Sequence, residues 1–212
     1  MADLQQLYDS ILIGDSKTAV AITNVAIAEG VAPIDLVSKY MVPAMDEVGR
    51  RFESEEYFVP ELLLAARAMK GALELLRPLL AASGAEPAGR VIIGTVRGDL
   101  HDIGKNLVAS MLEGGGFEVL DLGADVSPEK FVDAVKSRKT DVVALSALLT
   151  VTMPAMKSTI EALKLAGVRD KVKAIVGGAP VTKQYAEQIG ADGYTENASA
   201  AVNLVRGIMA RL

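Results

Sequence analysis

The chain has 212 residues, half of them hydrophobic, with no cysteine, one histidine and a formal net charge of −5. That length allows one large domain or two small ones with a proper core, and the missing cysteine excludes disulfides, thiolate catalysis and iron–sulfur clusters. No apolar run approaches the roughly 20 residues that span a bilayer, and the N-terminus, with Asp3 and Asp9 and no basic patch, is not a secretory signal, so the reading is a soluble, cytoplasmic protein.

Residues 1–82 read as helices only. Leu4, Leu7, Tyr8, Ile11 and Leu12 keep helical spacing up to Gly14, and Asp15 or Ser16 caps a second helix through Glu29, closed by Gly30. Pro33 opens a third, with Leu36, Val37, Tyr40, Met41, Met45 and Val48 on one stripe and Pro43 as a kink point. A fourth runs from about Pro60 to Leu80. Short loops between four helices predict a small bundle. The acid excess belongs to this part: residues 1–82 carry 7 Lys+Arg against 12 Asp+Glu, the remainder 15 of each. An acidic, aromatic-poor surface argues against nucleic acid as a partner.

Residues 82–89, small, polar and unpatterned, read as an interdomain linker, giving a bundle at 1–82, a linker at 83–89 and a second domain at 90–212. From Arg90 strands alternate with helices. Strands are predicted at 90–96, 117–122, 141–146, 172–176 and 193–195, and helices at 104–113, 128–138, 153–166, 180–189 and 198–211. Continuous apolar strands in such alternation predict an α/β, flavodoxin-like (Rossmann-like), doubly wound parallel five-stranded sheet.

The chemistry gathers at predicted strand ends. The first carries Gly98, Asp99, Leu100, His101, Asp102, Ile103 and Gly104, the third Ser146, Leu148, Thr150 and Thr152, the fourth Gly177 and Gly178. Imidazole is a common metal ligand, and Asp99, two positions earlier, can accept the proton of its other ring nitrogen. A hydrogen-bonded polar pair at a turn is the plainer alternative. Small residues at neighbouring strand ends leave a slot for a flat, partly polar ligand tail, with Gly177 and Gly178 permitting close backbone approach. No G-x-G-x-x-G follows a strand, so a dinucleotide is poorly supported.

D-x-H-x-x-G, S-x-L and G-G at these spacings resemble the cobalamin-binding domain of B12-dependent methyltransferases. The preceding bundle, with Arg51-Phe52 and Tyr57-Phe58-Val59-Pro60, resembles the cap module of methionine synthase and of small corrinoid carrier proteins of methanol, methylamine and methoxyarene systems. The resemblance implies that His101 is the lower axial ligand to cobalt, with Asp99 and Thr152 completing a hydrogen-bonded relay. It implies that residues 98–104 with Ser146, Leu148, Thr150, Gly177 and Gly178 surround the nucleotide tail, and that Tyr194 and Ala198 belong to a segment touching the corrin edge. Phe52, Val59 and Leu62 correspond to an apolar cover over the methyl-bearing face, with ordinary bundle core as the other reading. Where methionine synthase has a Glu near the cofactor, this chain has Ser38, and that contact is not carried over.

The implied function is a methyl carrier: a cobalamin (methylcobalamin) protein whose cobalt cycles between Co(I) and methyl-Co(III), the bundle swinging aside at the linker. Its partners would be a substrate:corrinoid methyltransferase, a methylcorrinoid:tetrahydrofolate or thiol methyltransferase, and a reductive activator, with no nucleic acid and no membrane. Without a substrate barrel it would be a non-autonomous corrinoid subunit of a one-carbon methyl-transfer system. The alternatives are a cobalamin-dependent sensor or regulator, the cobalamin subunit of an isomerase, and a flavodoxin-like domain binding FMN or nothing. The methyl donor is not legible.

Overall fold

The computed structural model describes residues 2–211. The chain divides into two compact units, one comprising the residues up to Pro87 with Ser110–Gly116, the other Ala88–Ala109 with everything from Phe117 onward.

The first unit contains helices α1 (Leu4–Leu12), α2 (Ser16–Ala28), α3 (Pro33–Leu36), α4 (Val42–Glu53) and α5 (Val59–Ser83). Asp3 and Asp15 cap α1 and α2, their carboxylates accepting the backbone N–H groups of Gln6 and Thr18 at 3.0 and 3.1 Å. Leu7, Ile11, Leu36, Met41, Met45, Leu62, Met69 and Leu76 are fully buried and form the apolar interior. The third predicted helix is in fact three pieces: α3, a π-helical turn over Val37–Met41, and α4. Pro43 accounts for the turn, because it has no N–H and its ring would strike the carbonyl four residues back in a regular α-helix; the wider turn, in which Val42 N–H donates to the Val37 carbonyl, relieves both. Helix α5 begins with Glu61 accepting the Phe58 N–H at 2.9 Å, passes Pro78, and ends at Gly84 in the left-handed region (φ +71°). It therefore takes up residues 82 and 83, leaving 84–89 irregular.

The second unit is an α/β layer structure: β1 (Arg90–Thr95), α6 (Ile103–Gly114, whose residues from Ser110 onward are counted with the first unit), β2 (Glu118–Asp121), α7 (Pro128–Ser137), β3 (Val142–Ser146), α8 (Pro154–Leu165), β4 (Lys173–Gly177), α9 (Lys183–Ile189), β5 (Gly193–Thr195) and α10 (Ala198–Met209). The strands are parallel in the order β2-β1-β3-β4-β5, the flavodoxin-like order predicted. The inner strands β1, β3 and β4 are buried on both faces, whereas the edge strands β2 and β5 are only half-buried, as helices on both sides of a sheet require. Phe131 packs directly on the sheet where Gly94 of β1 has no side chain, since a Cβ there would lie 2.8 Å from the ring.

This order creates a crevice. The chain leaves β1 toward one edge of the sheet and β3 toward the other, so the loops after these adjacent strands part at their carboxyl ends, the place where open α/β sheets bind ligands. Thr95, Ser146 and Gly177 share one register line across β1, β3 and β4. Among the described residues no helix is long and apolar enough to cross a membrane.

Candidate functional site

The loop after β1 brings Asp99 and His101 to that crevice. Gly98 sits in the left-handed region (φ +83°), which turns the chain sharply out of the strand. Asp99 is wholly buried, while the His101 side chain keeps 53% of its surface exposed. One carboxylate oxygen of Asp99, Oδ1, accepts the His101 backbone N–H at 3.1 Å and lies 3.0 Å from His101 Nδ1. The other, Oδ2, accepts the N–H groups of Leu148 (2.8 Å) and Leu149 (3.3 Å) and the Thr152 hydroxyl (2.7 Å). The loops after β1 and β3 are thus fastened together by a single carboxylate.

Burial alone pushes the Asp99 carboxyl up, but the hydrogen bonds from Thr152, Leu148 and His101 outweigh it and hold the group well below the usual carboxylate range. An ionised carboxylate only accepts hydrogen bonds, so His101 Nδ1 is the donor in this contact, and in the neutral ring Nε2 is the nitrogen that can ligate. The Thr95 hydroxyl, donating to the His101 carbonyl at 2.9 Å, fixes the backbone on the other side.

The surroundings of this imidazole are apolar and uncovered. Leu100 and Ile103 beside it in the chain are 76% and 78% exposed, and Leu148, Leu149 and Val151 in the facing loop are also exposed. Five large apolar side chains in two adjoining loops are far more than scattered surface hydrophobics, and they mark a binding face. Among the described residues no three His, Cys, Asp or Glu groups cluster as a metal site. His101 can therefore give a metal one bond, and a metal held there has to bring its other ligands with it.

The remaining predicted residues fall as follows. Asp102 accepts the Asn106 amide at 3.1 Å in the first turn of α6. A Cβ on Gly104 would meet no protein atom, so the space beside that turn is open. Ser146 ends β3, and Leu148 and Thr150 follow in the loop fastened to Asp99. Gly177 ends β4; Gly178 has φ +132°, and a Cβ on it would lie 1.9 Å from the Ala147 carbonyl oxygen. On the side where a side chain would project, Gly178 is thus packed against the Ala147 backbone. Tyr194 lies on β5 and Ala198 opens α10, both beyond β4 from the His101 loop. In the helical unit, Phe52 is half-buried on α4, Val59 is exposed at the start of α5, and Leu62 is completely buried as bundle core.

Several residues have a role that the sequence did not assign them. Lys105, only 3% exposed, pairs its ammonium with Asp121 at the end of β2 and with Asn106 Oδ1 at 2.5 Å. Asp125 binds the loop after β1 from the β2 side. Leu149 and Val151 extend the apolar face. A lysine opening an otherwise apolar helix was the available signal for Lys105; nothing comparable distinguishes Asp125 in the sequence.

Known proteins match both units. A B12-binding domain family matches residues 89–203, and a second B12-binding domain family matches residues 3–77. Trimethylamine corrinoid protein 2 of Methanosarcina mazei is 46% identical over 203 residues, covering 95% of this chain and 93% of its own. The dimethylamine corrinoid protein of Methanosarcina barkeri is 43% identical over 209 residues, with 98% and 97% covered. The crystal structure of the methanol:cobalamin methyltransferase complex from Methanosarcina barkeri contains a chain that superposes with a TM-score of 0.87 at 31% identity, covering 99% of this chain and 80% of that one. Matches of this extent in both units show that the chain belongs to the methyltransferase-associated corrinoid proteins, a cobalamin-binding family.

Proposed function

We propose that this protein is the methyl carrier of a corrinoid-dependent methyltransferase system, with His101 as the lower axial ligand of its cobalt. The observation that carries the reading is the exposed His101 ring, its Nδ1 held 3.0 Å from a wholly buried carboxylate, amid exposed leucine, isoleucine and valine side chains. The residues fit a corrinoid: a single nitrogen donor suits a metal already enclosed in a macrocycle, and the apolar rim suits the flat underside of that macrocycle. The hydroxyls of Ser146 and Thr150, with the open side of Gly104, are assigned to the nucleotide tail, and Tyr194 and Ala198 to the corrin edge. Phe52 and Val59 are assigned to the apolar cover of the methyl-bearing face, while Leu62, completely buried, is bundle core.

When bound, the corrinoid would supply a cobalt able to accept a methyl group from one partner and pass it to another. The protein's part follows from its own groups. His101 would offer Nε2 to the metal while Asp99 fixes the ring through Nδ1, favouring the tautomer that can ligate. Where Nε2 would not hold the metal, it would be free to take a proton. Asp99 accepts five hydrogen bonds and stays ionised, so it stabilises the resulting imidazolium as a counter-charge and does not take the proton itself. A metal and a proton would in this way compete for the same nitrogen.

The partners proposed are a substrate:corrinoid methyltransferase, a methylcorrinoid:tetrahydrofolate or thiol methyltransferase, and a reductive activator. Similarity to trimethylamine and dimethylamine corrinoid proteins supports a methylated amine as donor. Hydroxocobalamin added to the purified protein should give a red complex that survives desalting, with an imidazole-ligated visible spectrum absent in His101→Ala. An unchanged spectrum and affinity in that variant would overturn the ligation, and failure of the loaded protein to accept a methyl group from any amine in a reconstituted system would overturn the donor assignment.

A further inference from the structure

We infer that Asp125, in the loop after β2, is a positioning residue for His101, an inference that rests on the reading of His101 as the cobalt ligand. Asp125 grips the turn that carries the imidazole on both sides of one peptide unit. Its carboxylate Oδ1 accepts the Gly98 N–H at 2.7 Å, and its own N–H donates to the Asp99 carbonyl at 3.0 Å. Neighbouring bonds hold this loop in line with β1: Thr95 N–H donates to the Gly123 carbonyl at 3.0 Å, Val126 N–H donates to the Thr95 carbonyl at 2.9 Å, and Val96 pairs with Val126 as an isolated parallel bridge.

Asp125 adopts φ +52°, where a residue with a Cβ is strained; apart from glycine, Asp and Asn tolerate that region best. A glycine would relieve the strain but could not bond Gly98. The retained side chain therefore has a use, and the use lies at Gly98, one residue before the carboxylate that aims His101. Asp99 is held through its side chain by Leu148, Leu149 and Thr152 and through its backbone by Asp125. Only with both holds is the direction of its Oδ1, and hence of the ring, determined. Strained residues that the surroundings over-determine gather at functional sites, and this one sits two hydrogen bonds from the imidazole.

The test uses the full chain as wild type, Asp125→Ala, Asp125→Gly, Asp125→Asn and His101→Ala. Each is loaded with hydroxocobalamin, and the visible spectrum is followed in an acid titration that reports release of the imidazole. Loss of the direct partner of a ligating histidine weakens ligation about tenfold, and Asp125 acts through that partner, so Asp125→Ala and Asp125→Gly should release the ring at a higher pH than wild type, by up to about one unit. Asp125→Asn, whose amide oxygen can accept from Gly98 and which tolerates the left-handed region, should restore the wild-type midpoint. Superimposed titrations of wild type and Asp125→Ala would overturn the inference.

The unloaded protein gives an independent arm. His101 is the single histidine, so its ring resonances in an NMR spectrum are assigned without ambiguity. Greater ring mobility in Asp125→Ala, reversed in Asp125→Asn, supports positioning, and an unaltered ring refutes it. If His101→Ala leaves the loaded spectrum unchanged while Asp125→Ala mobilises the ring, the ligation has failed and the positioning of the imidazole by Asp125 stands.

Discussion

Thr152 donates its hydroxyl to Asp99 at 2.7 Å across 53 positions of chain, and this bond joins the loop after β3 to the loop that carries the imidazole. The hydroxyl has one hydrogen and two acceptors in reach, the Asp99 carboxylate and the Leu149 carbonyl at 2.8 Å; the charged acceptor is the stronger. Thr152→Val keeps the shape and removes the donor, which should lower the stability of the unloaded protein by about 1.5–3 kcal/mol, the range for a hydrogen bond to a buried charge. Thr152→Ser should retain most of it. Urea denaturation of the three proteins checks this, and a valine variant as stable as wild type would show that the backbone donors of Leu148 and Leu149 suffice.

Gly178 predicts a harsher outcome. Its φ of +132° and the 1.9 Å between an added Cβ and the Ala147 carbonyl oxygen leave no room for alanine. Gly178→Ala should destabilise the protein by about 2 kcal/mol or more, through backbone strain together with displacement of the loop after β3. Because Leu148 and Leu149 follow Ala147 directly, the same shift should loosen the bonds to Asp99 and weaken cobalamin retention on desalting. Unfolding within about 0.5 kcal/mol of wild type, the scatter of an ordinary surface change, would contradict the contact.

The sheet and the His101 loop were legible because their signals are local. Apolar strands alternating with helices specify a parallel sheet wherever they occur, and one histidine two residues after an aspartate in a strand-to-helix turn predicts the Asp99–His101 contact from spacing alone. The connections made across the sheet were not legible. Asp125 reaches Gly98 only because β2 lies beside β1, and nothing in the spacing of the two residues reports that register. Leu62 and Val59 illustrate the same limit on a helix: both fit an apolar stripe, yet one is core and the other exposed. The π-helical turn was half visible, since Pro43 announced an interruption but not that the chain would widen where a sharp bend was expected.

Lys105 and Asp121 give a prediction about rank. The lysine side chain is 1% exposed and its partner 38%, so the two ends of the ion pair are not equivalent. Asp121→Asn leaves a buried ammonium with weaker acceptors, whereas Lys105→Met removes the charge and fills the same space with apolar atoms. Breaking a buried pair by deleting one charge is the more damaging change. Asp121→Asn should therefore cost about 2–3 kcal/mol and Lys105→Met about 1 kcal/mol, discounted because Asp121 is partly solvated. Equal effects, or the reverse order in thermal and urea unfolding, would mean that the pair is not buried in solution.

In the helical unit the sharpest electrostatic feature is Glu47. It accepts Arg50 Nε at 2.7 Å, Arg50 Nη2 at 2.8 Å and Arg51 Nε at 2.8 Å, and Arg51 in turn lies over the Tyr57 ring, 5.2 Å from its centre. The hydrogen bonds from Arg50 and Arg51 pull the Glu47 carboxyl from its ordinary 4.5 down to about 2. A folded-state pKa below the unfolded one means that the stabilisation is complete above pH 4.5 and is lost as the pH falls toward 2. Arg50 is more than half exposed, so solvent screening limits the contribution to about 1 kcal/mol. Glu47→Gln should accordingly be less stable than wild type at pH 7 by about that amount, with the gap closing through the acid range and shrinking in high salt. A gap that stays constant with pH would show that Glu47 acts through packing of its side chain, and that its bonds to Arg50 and Arg51 add no net stability.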